Sequence, residues 1–258
     1  MGKIQVVCIP GSIAPAAQRY APLKAAVGDS VDLHWKDLEV YRDATPPADY
    51  SVELELQGID RVAGALGLDR FHLVGYSGGG FLSIAYAGTR PDRLLSLGLF
   101  EAAAIPGTKT PYEQEALDAL NARLRGLESG DFMKVFVSTQ VKEGVQLPAP
   151  PVSSLEAMKQ RATGIAAMMR SFESYSFERS SLREATFPAY VGYGDLTHEM
   201  EEVKAGILAR LFADVRVQRF RGVHHFVPPD QIYTAAHAAA LQDLWQRGEL
   251  KARQAVAR

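Results

Sequence analysis

The chain has 258 residues, with 28 lysines and arginines against 30 aspartates and glutamates and a formal net charge of −2. This near-balance argues against a dedicated surface for nucleic acid or an anionic membrane, and the length suits one large domain carrying an insert. A single cysteine, Cys8, excludes a disulfide framework and a cysteine-based zinc site.

The opening residues, MGKIQVVCIPG, form too short an apolar run for a signal peptide and lack its layout. No apolar stretch is long enough to span a bilayer. The expectation from these two readings is a cytoplasmic protein with no nucleic-acid or membrane partner.

In chain order, Lys3–Ile9 and Val31–Trp35 read as buried strands. Val52, Leu56, Ile59, Ala63 and Leu66 fall on one face of a helix. Phe71–Val74 reads as a strand. Gly79–Gly88 reads as a helix that stops before Pro91, because the residue before a proline avoids helical angles. Leu94–Phe100 is a strand; Ala189–Tyr193 and Val215–Phe220 are two more, with the helix Glu199–Phe212 between them. Gln231–Gln246 reads as a last helix and Glu249–Arg258 as a frayed end. Alternation of strands with helices predicts an α/β fold: a mostly parallel sheet with helices on both faces, wound right-handedly.

One segment breaks the alternation. Tyr112–Glu128 and Leu155–Phe172 read as helices, joined by the proline-rich connector Gln146–Ser154. An insert of this size is too long for a bare loop. The expected organisation is a core of residues 1–104 and 189–258, with a helical cap over residues 105–188.

The segment with most chemical content is Phe71–Leu82, "FHLVGYSGGGFL". A dinucleotide fingerprint needs G-x-G-x-x-G, but Ser77 stands where the second glycine belongs and Tyr76 crowds the turn. A Walker pattern fails because no lysine follows the glycines. Gly75-Tyr76-Ser77-Gly78-Gly79 does satisfy G-x-S-x-G between a strand and a helix, the pattern of a nucleophile elbow. A serine hydroxyl needs a base, and the base needs an orienting acid. In this arrangement the base follows the last strand, where "RGVHHFVPPDQ" offers His224 and His225. His34, His72, His198 and His237 read as structural or surface groups.

Three stretches carry a resemblance to a known family. "VVCIPGS" resembles a first strand that ends in His-Gly, with Pro10 in place of the histidine. "HLVGYSGGGFLSIAYAGTRPDRLLSLGLFEAA" resembles the elbow, its helix and the next strand, and "RFRGVHHFVPPDQ" resembles a Gly-x-Gly-His-Phe segment. From about Lys3 to Gln246 the chain resembles the α/β-hydrolase fold superfamily, in its serine-nucleophile branch with a helical cap. The resemblance implies Ser77 as nucleophile and His225 as base. It implies an oxyanion hole from the backbone N–H groups of Gly78 and Ser12, which Pro10 does not disrupt because it precedes the donor.

The acid is open at this level. The family's common Gly-x-x-Asp, counted from Gly194, puts Thr197 where the aspartate belongs, with Asp195 two residues early. Relatives that place a carboxylate after the preceding strand point to Glu101, which is preferred here; a site lacking the acid is the third reading.

The implied chemistry is hydrolysis of an ester, thioester or lactone through an acyl-enzyme, with no cofactor and no metal. A carbon–carbon bond hydrolase or cofactor-free lyase on the same residues remains as an alternative, as does a non-catalytic binder of a small hydrophobic ligand. Tyr76, Phe136, Met168 and Phe172 are the expected walls of a pocket for a small hydrophobic substrate, and a homo-oligomer is allowed.

Overall fold

The computed structural model describes residues 2–147 and 154–256. The elements in order are β1 (Ile4–Ile9), α1 (Ala16–Val27), β2 (Val31–Trp35), α2 (Val52–Ala65), β3 (Phe71–Tyr76), α3 (Gly78–Thr89), β4 (Leu94–Phe100), α4 (Pro111–Leu124), α5 (Ser129–Ser138), α6 (Leu155–Ser174), β5 (Ala189–Gly194), α7 (Met200–Leu211), β6 (Val215–Phe220), α8 (Pro229–Ile232) and α9 (Ala235–Val256).

The strands form one six-stranded sheet in the order β2-β1-β3-β4-β5-β6. Every neighbouring pair is parallel. A parallel sheet needs cover on both faces, so its central strands read as continuous apolar runs; β3 and β5 are buried at every residue. One face is packed by α1 and α9 through Tyr20, Leu23, Leu241, Leu244 and Trp245. The other is packed by α2, α3 and α7 through Leu56, Ile59, Phe81, Leu82 and Leu208. The helix expected from Val52 starts as the sequence suggests: Ser51 caps it by accepting from the Leu54 N–H, and Val52, Leu56, Ile59 and Ala63 are buried.

Four elements differ from expectation. α1 is not evident from the sequence; it carries Pro22 in its interior. The helix expected over Tyr112–Glu128 ends at Leu124, and Gly126, at φ 75°, turns the chain into a separate helix, α5. The final helix is split, with α8 preceding α9. The end expected to fray from Glu249 is instead helical to Val256. It is anchored by Glu249 against His72 and by Lys251 against Asp214; residues 257–258 lie outside the described residues. Most of the connector Gln146–Ser154 lies outside them too.

The helical segment between β4 and β5 has two kinds of packing. Leu124, Phe132, Ala162 and Ile165 make a small core of their own. Ala167, Met168 and Phe172 on the second half of α6, with Leu182 and Phe187 beyond it, belong to the main core. Phe172 stacks on Phe81 of α3 at 3.8 Å between ring centroids.

Candidate active site

In a parallel α/β sheet the crevice for a ligand lies outside the carboxyl ends of the strands. Ser77 follows β3, Glu101 follows β4, Gly194 ends β5 and His225 lies five residues beyond β6. Register brings these ends together.

Ser77 has φ 54° and ψ −119°, a strained conformation for a residue with a side chain. The turn is tolerated because glycines flank it. A Cβ on Gly79 would lie 2.5 Å from the carbonyl oxygens of Ile9 and Pro10, so α3 enters against the end of β1 only with glycine there. The Ser77 N–H donates to the Phe100 carbonyl, and the Ser77 carbonyl accepts from Phe81 and, at 2.8 Å, from Ala103. Its side chain is thereby aimed out of the sheet edge.

Ser77 Oγ is 3.1 Å from His225 Nε2. His225 Nδ1 is 2.8 Å from Glu101 Oε2. The other carboxylate oxygen of Glu101 accepts from the Gly194 N–H at 2.7 Å and the Thr197 hydroxyl at 2.5 Å. Burial alone pushes this carboxyl up. The bonds from His225, Thr197 and Gly194 outweigh it and hold Glu101 below the usual carboxylate range. Glu101 has φ 47°, a second strained position, and its N–H donates to the Gly192 carbonyl.

Of the two acids read from the sequence, the structure brings Glu101 to His225. Asp195 turns away and accepts the Gly222 N–H at 2.7 Å, fastening the turn after β6. Thr197, at the position of the family's aspartate, supplies a hydroxyl to Glu101 instead. His224 is directed elsewhere, its Nδ1 accepting from the Phe226 N–H.

The N–H of Gly78 stands at the first turn of α3, where helical N–H groups lack intrahelical acceptors. Among the described residues neither it nor the Ser12 N–H has a backbone acceptor. A Cβ on Gly78 would meet Met168 Cε at 2.5 Å and Ser12 Oγ at 3.6 Å, and Ser12 Oγ donates to Met168 Sδ at 3.3 Å. Arg161, two turns earlier on α6, donates to the Ser12 carbonyl at 3.1 Å. One face of α6 thus lies over the Ser12 loop.

Of the other expected wall residues, Phe136 is half-buried and stacks on Phe132 in the small core of the helical segment. Two pack into the cores. Phe172 is spent on Phe81 within the main core. Tyr76 lies on the α1/α9 side of the sheet, with its hydroxyl donating to the His225 carbonyl at 2.5 Å and its ring 5.0 Å from the imidazole. Because every residue of β3 is buried, the apolar pattern alone does not say which face Tyr76 takes.

A cavity of about 240 Å³ lies between α4 and α7. Ala104, Ile105, Leu117 and Leu120 wall it, with Lys204 and Glu201 at one side. It begins at Ala103, the residue bonded to the Ser77 carbonyl. Among the described residues no group of acidic, histidine or cysteine side chains forms a metal site, and no helix is long and apolar enough to cross a membrane.

No family model matches the chain. Over 75 residues it is 37% identical to a protein of Caulobacter segnis named as a carbamate hydrolase, RutD; the match covers 29% of this chain and 27% of that one. Likeness to solved structures is broader. An esterase from Thermogutta terrifontis matches with a TM-score of 0.71 at 19% identity, covering 96% of this chain and 92% of the other. A hydrolase from Pseudomonas aeruginosa matches at 0.69 and 17%, covering 94% and 89%. A structure from a study of carboxylesterases of Nitrososphaera gargenis matches at 0.69 and 10%, covering 96% and 93%. With its six parallel strands and the helices on both faces, the chain has the α/β-hydrolase fold.

Proposed function

We propose that the protein is a serine hydrolase that cleaves an ester, thioester or lactone of a small to mid-sized hydrophobic substrate. The reading rests on one observation: Ser77 Oγ, the two ring nitrogens of His225 and Glu101 lie in sequence at 3.1 and 2.8 Å. His225 Nε2 takes the hydroxyl proton as Ser77 Oγ bonds to the substrate carbonyl carbon. The carbonyl electron pair moves onto oxygen, where the N–H groups of Gly78 and Ser12 receive it. Collapse expels the alcohol or thiol, which leaves with the proton from His225. Water then repeats the addition on the acyl-enzyme, frees the acid and restores Ser77. Glu101 fixes the tautomer in which Nδ1 carries hydrogen and faces the imidazolium formed in each addition.

The segment 105–188 acts as a cap in this reading. Met168 packs against Gly78 and Ser12, so the acyl group enters beside its thioether. The apolar walls of the nearby cavity favour a hydrophobic portion, and its volume favours a small one.

A fluorophosphonate probe tests the reading. It should add its mass to the folded wild-type protein and leave Ser77→Ala unmodified. A folded protein that takes no label at Ser77 would fail as a serine hydrolase and would instead be a candidate ligand-binding relative of the same fold.

A further inference from the structure

Among the described residues, most buried charges are paired. Lys36 meets Glu55 at 2.5 Å, Arg179 meets Glu113 at 2.9 Å and Lys204 meets Glu201 at 2.5 Å. Two buried charges have no opposite charge in contact. One is Glu101, which is bonded to an imidazole, a hydroxyl and an N–H. The other is Arg19 on α1, 5% exposed, with no ion pair; its Nε and Nη2 have no hydrogen-bond partner, and its side-chain hydrogen bond is to neutral Tyr233. A guanidinium stays protonated wherever a protein puts it, and burying it unpaired is unfavourable. Such a residue calls for a compensating role.

Its neighbours indicate one. The Arg19 guanidinium carbon lies 3.5 Å from the centroid of the Tyr76 ring. The same ring is stacked near the His225 imidazole, and its hydroxyl holds the His225 carbonyl. Tyr76 also feels the charge of Glu101. A cation at the ring face withdraws electron density from the phenol and makes its O–H a stronger donor.

We propose that Arg19 is a positioning residue of this site: through Tyr76 it fixes the backbone and ring of His225. The proposal rests on the serine-hydrolase reading for its purpose, but not for its test. The guanidinium holds one side of the Tyr76 ring, and that ring and its hydroxyl hold His225, so the imidazole stays in line between Ser77 and Glu101.

The other groups around the two residues are accounted for. Facing His225 are Glu101 after β4, the Glu201–Lys204 pair on α7, and its neighbour His224. Facing Arg19 are the phenols of Tyr20 on α1, Tyr76 at the end of β3 and Tyr233 after α8, and His237 on α9. Burial pushes the phenols up, so they stay neutral donors, and pushes His237 down to about 3, so it stays uncharged. Arg19 is the one cation on that side of the sheet among these groups.

The test follows the His225 ring nitrogens by NMR in the ¹⁵N-labelled full chain, a readout that needs no turnover. Arg19→Met should displace the His225 ring ¹⁵N resonances from their wild-type positions, since the Tyr76 ring packed near the imidazole loses the group behind it. Arg19→Lys, which keeps a cation over the ring, should restore the wild-type resonances. Tyr76→Phe, which keeps the ring and loses the hydroxyl, should lower kcat on a short-chain chromogenic ester about tenfold with KM unchanged. If Arg19→Met does not fold, Arg19→Gln takes its place. Ring resonances that are the same in wild type and in the neutral variants overturn the proposal. So does a lysine variant whose resonances match the neutral ones. A protein that shows the shift yet takes no fluorophosphonate would keep the Arg19 assignment and lose the hydrolase reading.

Discussion

The strand ends that carry Ser77, Glu101 and His225 contrast with the helical segment between β4 and β5 in how their residues are held. At the strand ends Gly78, Glu101, Gly194, Thr197 and His225 are buried, and the turns that carry them are fastened by hydrogen bonds between distant strands. In the helical segment, α4 buries only Glu113 and Leu124, and it is fixed by polar contacts: a capping box at Thr110 and the Glu113–Arg179 pair. Leu155, which opens α6, is 82% exposed. Only the later half of α6 enters the main core. The floor of the site is therefore over-determined, while the part above it is joined firmly at Phe172 and loosely elsewhere. This division suits a site whose reacting atoms need fixed distances and whose entrance must admit a substrate.

The largest expected effect is at the floor and on activity. Glu101→Gln should lower kcat/KM on a short-chain ester by about 10³–10⁴-fold, since the amide cannot hold the same tautomer and charge. Asp195→Asn should change it by less than about twofold, because its side chain fastens a turn. A crippling Asp195 change with an active Glu101 variant would reverse the assignment of the acid.

A second pair of substitutions sets the two regions against each other in stability. Gly79→Val forces a side chain against the carbonyls of Ile9 and Pro10 and should cost about 3 kcal/mol or more. Gly130→Ala lies within α5, where an added Cβ meets nothing within 4 Å, and should stabilise by about 0.4–1 kcal/mol. Urea unfolding measures both. Equal effects would mean that the floor is no more constrained than the helices above it.

Met168 lies where the two regions meet. Met168→Ala should raise kcat/KM for a butyryl ester relative to an acetyl ester about tenfold, as removing a wall admits more methylenes. An unchanged chain-length profile would place the acyl group elsewhere.

The smallest effect concerns pH. His237 is uncharged in the folded state because burial, aided by the Arg19 charge, pushes it down to about 3 from 6.5. Its unfolded form takes up a proton below about 6.5. Its contribution to stability is therefore complete above that pH and is lost as pH falls toward 3. Between pH 6.5 and 5.5 this amounts to about 1 kcal/mol at most. Burial pushes His72 and His224 down as well and adds to the slope. His237→Gln should flatten the pH dependence of urea stability without abolishing it.

Much of this was legible in the chain. The glycines around Ser77 announce a turn that only small residues can make, and a histidine after the last strand is placed by chain order. Glu101 was legible only as one of two carboxylates, because choosing between them requires knowing how β4, β5 and the turn after β6 meet. α1 is not legible because Pro22 interrupts its pattern, and Arg19 is hidden with it. Thr197 reads as an absent aspartate because its bond to Glu101 joins residues far apart in the chain.

By itself the sequence determined the alternating elements, the elbow and the residue types available for proton transfer, since these follow from periodicity and from contacts within a few residues. The tertiary structure decided which acid faces His225, which side of the sheet Tyr76 takes and what lies over Ser12. Those choices depend on register between strands distant in the chain, and on burial that no local pattern encodes.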